Sequence, residues 1–333
     1  MSDRLVIGSK AIDAPQHGHV TVNEDRVAQV AEQLSVVDAA PPYPYVGPTL
    51  PPVRHPKALD YFFAATLQQF SFWYARDNRY DGPLIAPIGD VERKGSDYLW
   101  FAITRRLERD PGFCSPERQA TLSLEDWLAV FRSDDGSDPM PALDLHVVQA
   151  NQYGRDMLAL GLTPEAVVDR ALASPEPLET FLATLDHVGG YKEDPLRKKS
   201  LLLAVILKQR PEAFLPLPED PPISPIMDYH LMRSCLRIGL VDVHDGALQE
   251  KLTGRQVISP AEEWAVRYPC YLAVGTLISR SGKSPSVVDG FLFTNARKRC
   301  PEMTEPQCQS CDLDPVCAHR KSFFQPVLRT TFY

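Results

Sequence analysis

Apolar side chains recur at helical intervals through most of the chain, whereas the two-residue alternation typical of half-buried strands is almost absent. The spacing predicts helices over residues 27–36, 58–74, 98–109, 124–131, 142–160, 163–172, 178–185, 195–208, 227–240, 261–278 and 286–299. Ser123 directly precedes one of these helices and is expected to be its N-cap. The pattern therefore predicts a mostly α fold without internal repeats.

Proline and glycine mark the breaks between these helices. Residues 1–20 are polar and lack a pattern, so we expect a frayed arm there. Residues 39–56 contain seven prolines and predict an extended segment. Residues 77–97 indicate a loop or short hairpin, residues 188–190 a glycine turn, and residues 211–225 a proline-rich link.

The overall composition is that of an ordinary globular protein, with 44% hydrophobic and 23% charged residues among 333. Lys and Arg number 35 against 43 Asp and Glu, so the formal charge is −8. This balance argues against a long nucleic acid as the main partner, because phosphate contacts need a basic face. Residues 1–20 lack a signal-peptide core, and the longest apolar run, residues 201–207, is too short to span a membrane. We therefore expect a cytoplasmic protein without a membrane partner.

Four of the seven cysteines lie within eighteen residues, in the pattern C-x7-C-x2-C-x5-C. They are Cys300, Cys308, Cys311 and Cys317. In a reducing compartment such a group is more typical of a metal centre than of disulfides. Four thiolates can hold either zinc or an iron–sulfur cluster, and the spacing alone leaves both open.

This cysteine segment resembles the C-terminal loop of endonuclease III and the adenine-DNA glycosylases, differing by one residue in the first interval. The resemblance implies a [4Fe-4S] cluster, with zinc as the alternative. It also implies that the loop presents basic residues, here Arg297, Lys298, Arg299, Arg320 and Lys321.

Two further segments resemble a helix-hairpin-helix glycosylase: HVGGYKEDPLRKKSLLLAVIL (187–207) and IMDYHLMRSCLRIGLV (226–241). The resemblance implies a helix-hairpin-helix DNA-glycosylase-like fold, with Asp228 in the position of the catalytic aspartate. Residues 191–196 lengthen the hairpin relative to the family. A tight hairpin presents backbone amides to a DNA phosphate, so the insertion weakens the case for a grip on duplex DNA.

Most of the chain resembles the queuosine salvage family, the queuosine 5′-phosphate N-glycosylases. The matching stretches are ALDYFFAATLQQFSFW (58–73), GSDYLWFAITRRLE (95–108), ATLSLEDWLAVFRSD (120–134), PMP (139–141), RKKSLLLAVIL (197–207), MDYHLMRSCLRIGLV (227–241), WAVRYPCYLAVGTLI (264–278) and the final Phe332-Tyr333. The resemblance implies a glycosylase-like α fold that releases queuine from its nucleotide with water. Both resemblances assign catalysis to Asp228.

Asp228 also suits this role on physical grounds. Cleavage of an N-glycosidic bond builds positive charge on the sugar, and a carboxylate beneath the ring stabilises that charge and orients water. Asp228 follows a proline-rich segment at a predicted helix start, where the helix dipole should keep it ionised. An aspartate at this position is also a common N-cap. Its neighbours Ile226 and Tyr229 are candidates for substrate contacts.

Other candidate pocket residues come from the salvage-family stretches. Phe72 and Trp73 are candidates for stacking on the base, with core packing as the alternative. Asp134 is a candidate hydrogen-bond acceptor or a helix-end cap. Arg197, Lys198 and Lys199 are candidates for a 5′-phosphate site, although such a run also suits a solvated helix face. His230 is by default a core or exposed histidine.

The helix before the cysteines supplies the last two candidates, Asp289 and Phe293, at positions where the family binds the side arm of queuine. Where the family continues with acidic residues, this chain has basic ones at 297–299. The sequence therefore leaves two substrates open: one that carries queuine, and a related 7-deazaguanine nucleotide or nucleoside with another base or side arm.

Three functions follow from these patterns. The leading hypothesis is an N-glycosidase acting on a small modified nucleotide or nucleoside. The alternative is a [4Fe-4S] DNA glycosylase that excises a modified base, and the third is a redox or sensor protein built around the cluster. We divide the chain into an arm and proline-rich segment (1–56), a glycosylase-like catalytic domain (57–299), a cluster loop (300–317) and a tail (318–333).

Overall fold

The structure is a computed structural model that describes residues 4–7, 10–15, 18–38, 43–217 and 224–333. Within these residues the α-helices are α1 (Glu24–Val36), α2 (Ala58–Thr66), α3 (Ser96–Arg109), α4 (Pro116–Gln119), α5 (Leu124–Phe131), α6 (Leu143–Ala159), α7 (Pro164–Leu172), α8 (Pro177–Leu185), α9 (Lys198–Gln209), α10 (Tyr229–Ile238), α11 (Gly246–Thr253), α12 (Pro260–Ser281) and α13 (Pro285–Lys298). The prediction of a mostly α fold is confirmed.

The strands form small antiparallel pairs. They are β1 (Arg4–Ile7), β2 (Lys10–Asp13), β3 (Val20–Val22), β4 (Trp73–Arg76), β5 (Arg79–Pro83), β6 (Ile85–Pro87), β7 (Glu92–Lys94) and β8 (Val241–Val243). The pairs are β1 with β2, β3 with β8, β4 with β5, and β6 with β7. The hairpin expected in residues 77–97 is thus confirmed, as part of two successive hairpins.

Polar capping residues begin several of the helices. Ser123 caps α5 as predicted, and Asp126 returns the bond in a capping box. Ser259 and Glu262 form the same arrangement at the start of α12. These local signals explain why the predicted and observed helix starts agree closely there.

The helix predicted over residues 58–74 is wrong beyond Thr66, where α2 ends. Ser71 adopts a positive φ of 60°, and Trp73 begins a strand that pairs with β5. Two carbonyls of this segment accept hydrogen bonds from buried lysines: Lys198 Nζ donates to the Gln69 carbonyl and Lys199 Nζ to the Leu67 carbonyl. An apolar run of this length suits a buried turn and strand as well as a helix.

The frayed arm expected at residues 1–20 is also wrong for the part that the structure describes. β1 and β2 form a hairpin, and β3 pairs with β8 in a distant part of the chain. Residues 39–42 and 218–223, which belong to the two proline-rich segments, lie outside the described residues. The short helices α4 and α11 were not predicted.

The helices enclose two hydrophobic cores. The first is built from α2 to α9 and the hairpins between α2 and α3. The second is built from α1, α10 to α13 and the C-terminal residues. In the second core α10 packs against α12 and α13. This arrangement places the N-terminal end of α10 at the side of the second core that meets the first.

Candidate functional site

A cavity of about 950 Å³ is lined by residues of both cores. Phe72 and Trp100 reach it from the first core, and Leu231 and Val288 from the second. Its volume lies within the range of sites that bind small molecules, about 300–1,000 Å³. Seven of the predicted substrate or catalytic residues line it: Phe72, Lys198, Ile226, Asp228, Tyr229, Asp289 and Phe293.

Asp228 is the N-cap of α10, as its position in the sequence predicted. Its Oδ1 accepts a hydrogen bond from the backbone N–H of Leu231 at 3.0 Å. Burial raises the pKa of Asp228, and the charge of Lys198 and the backbone amides of Leu231 and His230 only partly oppose this. Burial therefore outweighs the helix terminus, which was expected to keep this carboxyl ionised by lowering its pKa. A raised pKa brings it closer to the range that suits a general base.

Lys198 is the first residue of α9 and its side chain is buried in the cavity wall. Its Nζ donates to the carbonyl of Gln69 at 3.2 Å. Burial lowers the pKa of Lys198, while the charges of Asp228 and Asp194 raise it. The ammonium group is therefore coupled electrostatically to the carboxyl of Asp228 across the same cavity.

Asp289 reaches the cavity from the second turn of α13. Burial, and after it the nearby carboxylate of Asp228, raises the pKa of Asp289 to about 8, against the opposing effects of the Ile226 amide and Lys198. Two carboxyls in one site repel each other as anions, so one of them retains its proton to a higher pH. The larger upward shift of pKa falls on Asp289, which is therefore the member of the pair that keeps its proton near neutral pH.

Aromatic rings form much of the remaining wall. The rings of Tyr229 and His230 lie 4.2 Å apart, and those of His230 and Phe293 lie 5.1 Å apart. Burial lowers the pKa of His230 well below its usual value, so this ring is neutral near pH 7. Tyr333 adds a further ring, 6.3 Å from Tyr229. Such walls suit a flat, largely uncharged ring system.

Two predicted substrate residues lie outside the described lining of the cavity. Trp73 packs against Tyr80, with ring centroids 5.8 Å apart, in a small separate cluster. Asp134 accepts hydrogen bonds from Arg105 Nη1 and from the backbone N–H of Asp90, both at 3.1 Å. Trp73 therefore takes part in packing, whereas Asp134 binds an arginine and a hairpin amide and caps no helix end that the structure describes.

Arg197 and Lys199 also point away from the cavity, unlike their neighbour Lys198. Arg197 is fully buried and pairs with Asp186, its Nε donating to Oδ1 at 3.0 Å. Lys199 Nζ donates to the Leu67 carbonyl at 2.9 Å, and burial lowers its pKa to about 7. The three basic residues are thus buried in different surroundings: Lys198 lines the cavity, Arg197 pairs with Asp186, and Lys199 binds a backbone carbonyl.

Further cations, none of them predicted as pocket residues, also reach the cavity. Lys283, Arg297 and Lys298 line its side next to α13. Arg297 pairs with Asp97 at 3.2 Å, and Lys283 Nζ donates to the Val37 carbonyl at 3.0 Å. Arg297 and Lys298 were predicted only as part of a basic surface beside the cysteine loop.

A buried ion pair behind the cavity was missed altogether. Arg267 donates from Nη1 and Nη2 to the two carboxylate oxygens of Asp194, each at 2.8 Å, and from Nη2 to the Met227 carbonyl at 3.0 Å. The same carboxylate accepts the backbone N–H of Lys198 at 2.9 Å. The Arg267–Asp194 pair therefore links Met227, the residue before Asp228, to the start of α9. The signals available were an arginine inside the apolar stretch 261–278 and an aspartate four residues before Lys198.

The same arginine connects to the C-terminal residues. Its guanidinium lies 4.9 Å from the ring of Tyr333, whose hydroxyl donates to Glu263 Oε1 at 2.8 Å. The backbone N–H of Ser71 donates to the Tyr333 carbonyl at 3.1 Å. These contacts fix the Tyr333 ring in the cavity wall.

The glycine turn of the predicted hairpin is bonded to side chains of the protein itself. The backbone N–H of Gly189 donates to Asp156 Oδ2 at 2.8 Å, and that of Gly190 donates to Glu193 Oε2 at 2.9 Å. Glu193 belongs to the lengthened part of the hairpin. These two amides, which a DNA phosphate would use in a tight hairpin, therefore already hold carboxylates.

The four clustered cysteines converge on a second, small cavity of about 40 Å³. They are half-buried and form no disulfide among the described residues. Arg237 Nη1 donates to Cys300 Sγ at 3.4 Å, and the backbone N–H of His319 donates to Cys317 Sγ at 3.3 Å. Burial raises the pKa of Cys308 and of Cys317, and the neighbouring thiols raise it as well. A bound cation would relieve this repulsion, so the donor set fits a thiolate-bound metal centre.

A second set of donors lies at the edge of this cavity. Ligand atoms of Cys308, Asp314 and His319 all lie within 4.8 Å of one another. The His319 ring and the Asp314 carboxylate are 2.9 Å apart. A sulfur, an oxygen and a nitrogen donor at this spacing suit zinc rather than an iron–sulfur cluster.

Comparison with protein-family models and with curated proteins finds no match to this chain. Among the residues that the structure describes, no helix combines the length and apolar character that a membrane span requires.

Proposed function

We propose that this protein is an N-glycosidase that hydrolyses queuosine 5′-phosphate, or a related 7-deazaguanine nucleotide or nucleoside, and releases the free base. The observation that supports it most is the meeting of Asp228, Asp289 and Lys198 with aromatic side chains in one cavity of about 950 Å³. Cavities with a few convergent polar groups and perturbed pKa values are typical of active sites.

In this proposal Asp228 lies below the ribose. As the bond between the sugar and the base lengthens, positive charge develops on the sugar ring, and the carboxylate stabilises it. The same carboxylate orients a water molecule and accepts its proton as the water attacks. Lys198 favours the ionised form of Asp228 by its charge.

The aromatic wall and the cationic side of the cavity suit different parts of the substrate, the base and the phosphate. Phe72, Tyr229 and Phe293 suit the flat base. Lys198 supplies one buried cation, and Arg297 and Lys298 supply further charge toward the surface, where a 5′-phosphate remains hydrated. A small nucleotide therefore matches the cavity better than a polymer.

For the cysteine segment we propose a [4Fe-4S] cluster held by Cys300, Cys308, Cys311 and Cys317, with zinc as the alternative. Converging thiols and N–H donors directed at their sulfurs support the cluster. The mixed donor set at Cys308 supports zinc. Iron, acid-labile sulfide and zinc analysis of anaerobically purified protein distinguishes the two, together with the visible absorbance that only the cluster gives. In either case the metal stabilises the loop and takes no part in the hydrolysis.

Excision of a base from DNA is the second candidate, and the cysteine pattern is what favours it. It requires the duplex to bind next to the cavity, with binding that weakens steeply as salt rises. The occupied amides of Gly189 and Gly190 oppose this. We expect negligible, salt-insensitive binding of a lesion-containing duplex; tight binding that declines with salt would favour the glycosylase.

The test of the proposed function is incubation of the purified protein with queuosine 5′-monophosphate, queuosine and related 7-deazaguanine nucleotides, followed by chromatography for the free base. We expect release from at least one of them, and none by the Asp228→Asn variant. Failure of the wild-type protein to release base from all of them would overturn the proposal.

A further inference from the structure

The side chain of Asp289 is partly exposed to the cavity, and one of its oxygens has no partner. Oδ1 is buried from solvent and forms no hydrogen bond with any residue that the structure describes. Buried polar groups in proteins are nearly always hydrogen-bonded, so the unpartnered Oδ1 marks Asp289 as a group whose hydrogen bonding the protein itself does not complete. Asp289 lines the cavity that also contains Asp228.

The groups around Asp289 keep it in the acid form. It faces the carboxyl of Asp228 from α10, the ammonium of Lys198 from α9 and the backbone N–H of Ile226. The phenol of Tyr45 lies close enough for its own pKa to be raised by Asp289, after burial. Burial and Asp228 outweigh the cation and the amide, so the pKa of Asp289 rises to about 8. Near neutral pH the side chain is therefore able to donate a proton.

We propose that Asp289 is the general acid of this site, which protonates the departing base. The inference rests on the proposed function and adds a second catalytic residue to it. It differs from the side-arm contact that the family resemblance implies for this position, since a contact of that kind only binds the base.

The step balances as follows. The oxygen of water forms a bond to the anomeric carbon of the ribose while the bond from that carbon to the base nitrogen breaks, and its electron pair stays on the base. Asp228 takes one proton from the water, and Asp289 gives its proton to a nitrogen of the base. The products are the neutral base and ribose 5-phosphate, and one proton must move from Asp228 to Asp289, directly or through solvent, to restore the starting state.

A 7-deazaguanine has particular need of such an acid. The ring carries a carbon where a purine carries its N7, so the basic nitrogen on which many purine leaving groups are protonated is missing. Without a proton donor the base would depart as an anion in an apolar cavity, which is costly. A carboxyl that is neutral at the working pH supplies the proton where the charge develops.

The test compares Asp289→Asn with the wild-type protein across pH, on the nucleotide that the wild type cleaves. Asn retains the shape and the hydrogen bonding of the side chain but cannot give up a proton. We expect kcat to fall about 10²–10⁴-fold with little change in KM. In the wild type, kcat/KM should decline as the pH rises through about 8, because Asp289 then loses its proton. This alkaline decline should be missing in the variant.

A second substrate sharpens the result. A nitrophenyl riboside 5-phosphate has a leaving group that needs no proton, so Asp289→Asn should cleave it within a few-fold of the wild-type rate. Asp169→Asn, which changes an exposed carboxylate on α7, is the matched control and should behave as the wild type on both substrates. Asp289→Glu keeps an acid in the cavity and should retain part of the activity, which covers the case in which the Asn variant fails to fold.

Three results would overturn the inference. One is an Asn variant with wild-type kcat, and another is a variant whose loss lies only in KM, which is the mark of a binding residue. The third is an alkaline decline that persists in Asp289→Asn. If the wild-type protein releases no base, the proposed function itself is wrong. The wild-type protein therefore tests the function, and the Asp289 variants test the general acid.

Discussion

The two ends of α10 contrast in how they are built. At its N-terminal end Asp228 lies in a cavity with Phe72, Lys198 and Asp289, which come from three other parts of the chain. At its C-terminal end Arg237 contacts a cysteine loop that is nearly continuous in sequence. One end depends on tertiary packing and the other on a local spacing, so the two ends should respond to different substitutions.

Both ends are nevertheless parts of one rigid element. Arg237 donates from Nη1 to the Pro301 carbonyl at 2.8 Å, and the backbone N–H of Ala318 donates to the Ile238 carbonyl at 2.9 Å. A helix of ten residues is about 15 Å long, so the end of α10 that contacts the loop lies about that far from Asp228. The loop also reaches the cavity by another path, because Asp312 and Asn295, whose side chain contacts Cys311, both line it.

The largest effect should come from Asp228→Asn, which changes only the N-terminal end. Asn is as good an N-cap as Asp, so α10 should remain intact. We expect kcat/KM to fall about 10²–10⁴-fold, because the carboxylate that stabilises the sugar and accepts the proton is lost. Thermal unfolding and metal content should be unchanged.

The matched control for this variant is Asp245→Asn. Asp245 caps α11 in the same manner, its carboxylate accepting the Leu248 backbone N–H at 2.8 Å, and it lies outside the described cavity lining. Equal losses of activity in the two variants would reduce Asp228 to a structural cap.

Arg267→Met should give the next largest effect. It leaves Asp194 buried without its partner, which we expect to cost about 3–5 kcal/mol of unfolding free energy. It also releases the Met227 carbonyl next to Asp228, so kcat per folded molecule should fall as well. Denaturant unfolding and active-site-normalised rates measure the two effects.

Arg197→Met is the comparison, since it breaks another buried pair, with Asp186, away from the cavity. It should lose stability without a fall in kcat per folded molecule. If both variants lose only stability, Arg267 does not position Asp228.

Cys311→Ser changes the cysteine loop at the C-terminal end of α10 and leaves Asp228 in place. Under the four-thiolate proposal the metal should be lost, and with it a stabilisation of about 4 kcal/mol for a group bound at a thousandfold excess over its Kd. Metal analysis and calorimetry check this, and the remaining folded protein should keep most of its kcat. Cys114→Ala, at a buried thiol of the first core, should leave the metal content unchanged. Equal metal contents in the two variants would contradict the proposal.

The smallest effect should come from Gly239→Ala, at the end of α10. Gly239 has a φ of 87°, and a Cβ built there would lie 2.8 Å from the Cβ of Ala318. We expect a loss of about 1–3 kcal/mol and weaker retention of metal, since the chain after Cys317 must shift. Gly246→Ala, where nothing lies within 4 Å, should be neutral by melting temperature. A neutral Gly239→Ala would show that the two segments are not tightly packed.

Local signals account for the parts of the fold that the sequence predicts well. The Ser123 cap, the glycine turn and Asp228 at a helix start need only a few neighbouring residues to be recognised. The convergence of the four cysteines follows from their short spacing in the same way. The roles of Asp228 and of the cysteines stay predictions.

Nonlocal packing decides what the sequence does not predict. Lys198 and Lys199 are adjacent, yet one faces the cavity and the other the carbonyl of Leu67, because successive residues of a helix point about 100° apart. Trp73 was expected on a helix and lies on a strand, because the apolar run 58–74 suits a buried strand as well as a helix and the pairing with β5 decides between them. Asp194 and Arg267 are 73 residues apart, so no local pattern joins them.

The backbone amides of Gly189 and Gly190 each donate to a separate carboxylate of the protein. Asp156 and Glu193 act there as built-in counterparts of a phosphate. Replacing Asp156 and Glu193 by their amides would remove two negative charges from the turn and leave the glycine N–H groups with weaker acceptors. The turn is thus closed to an added anion by charges that the protein itself supplies.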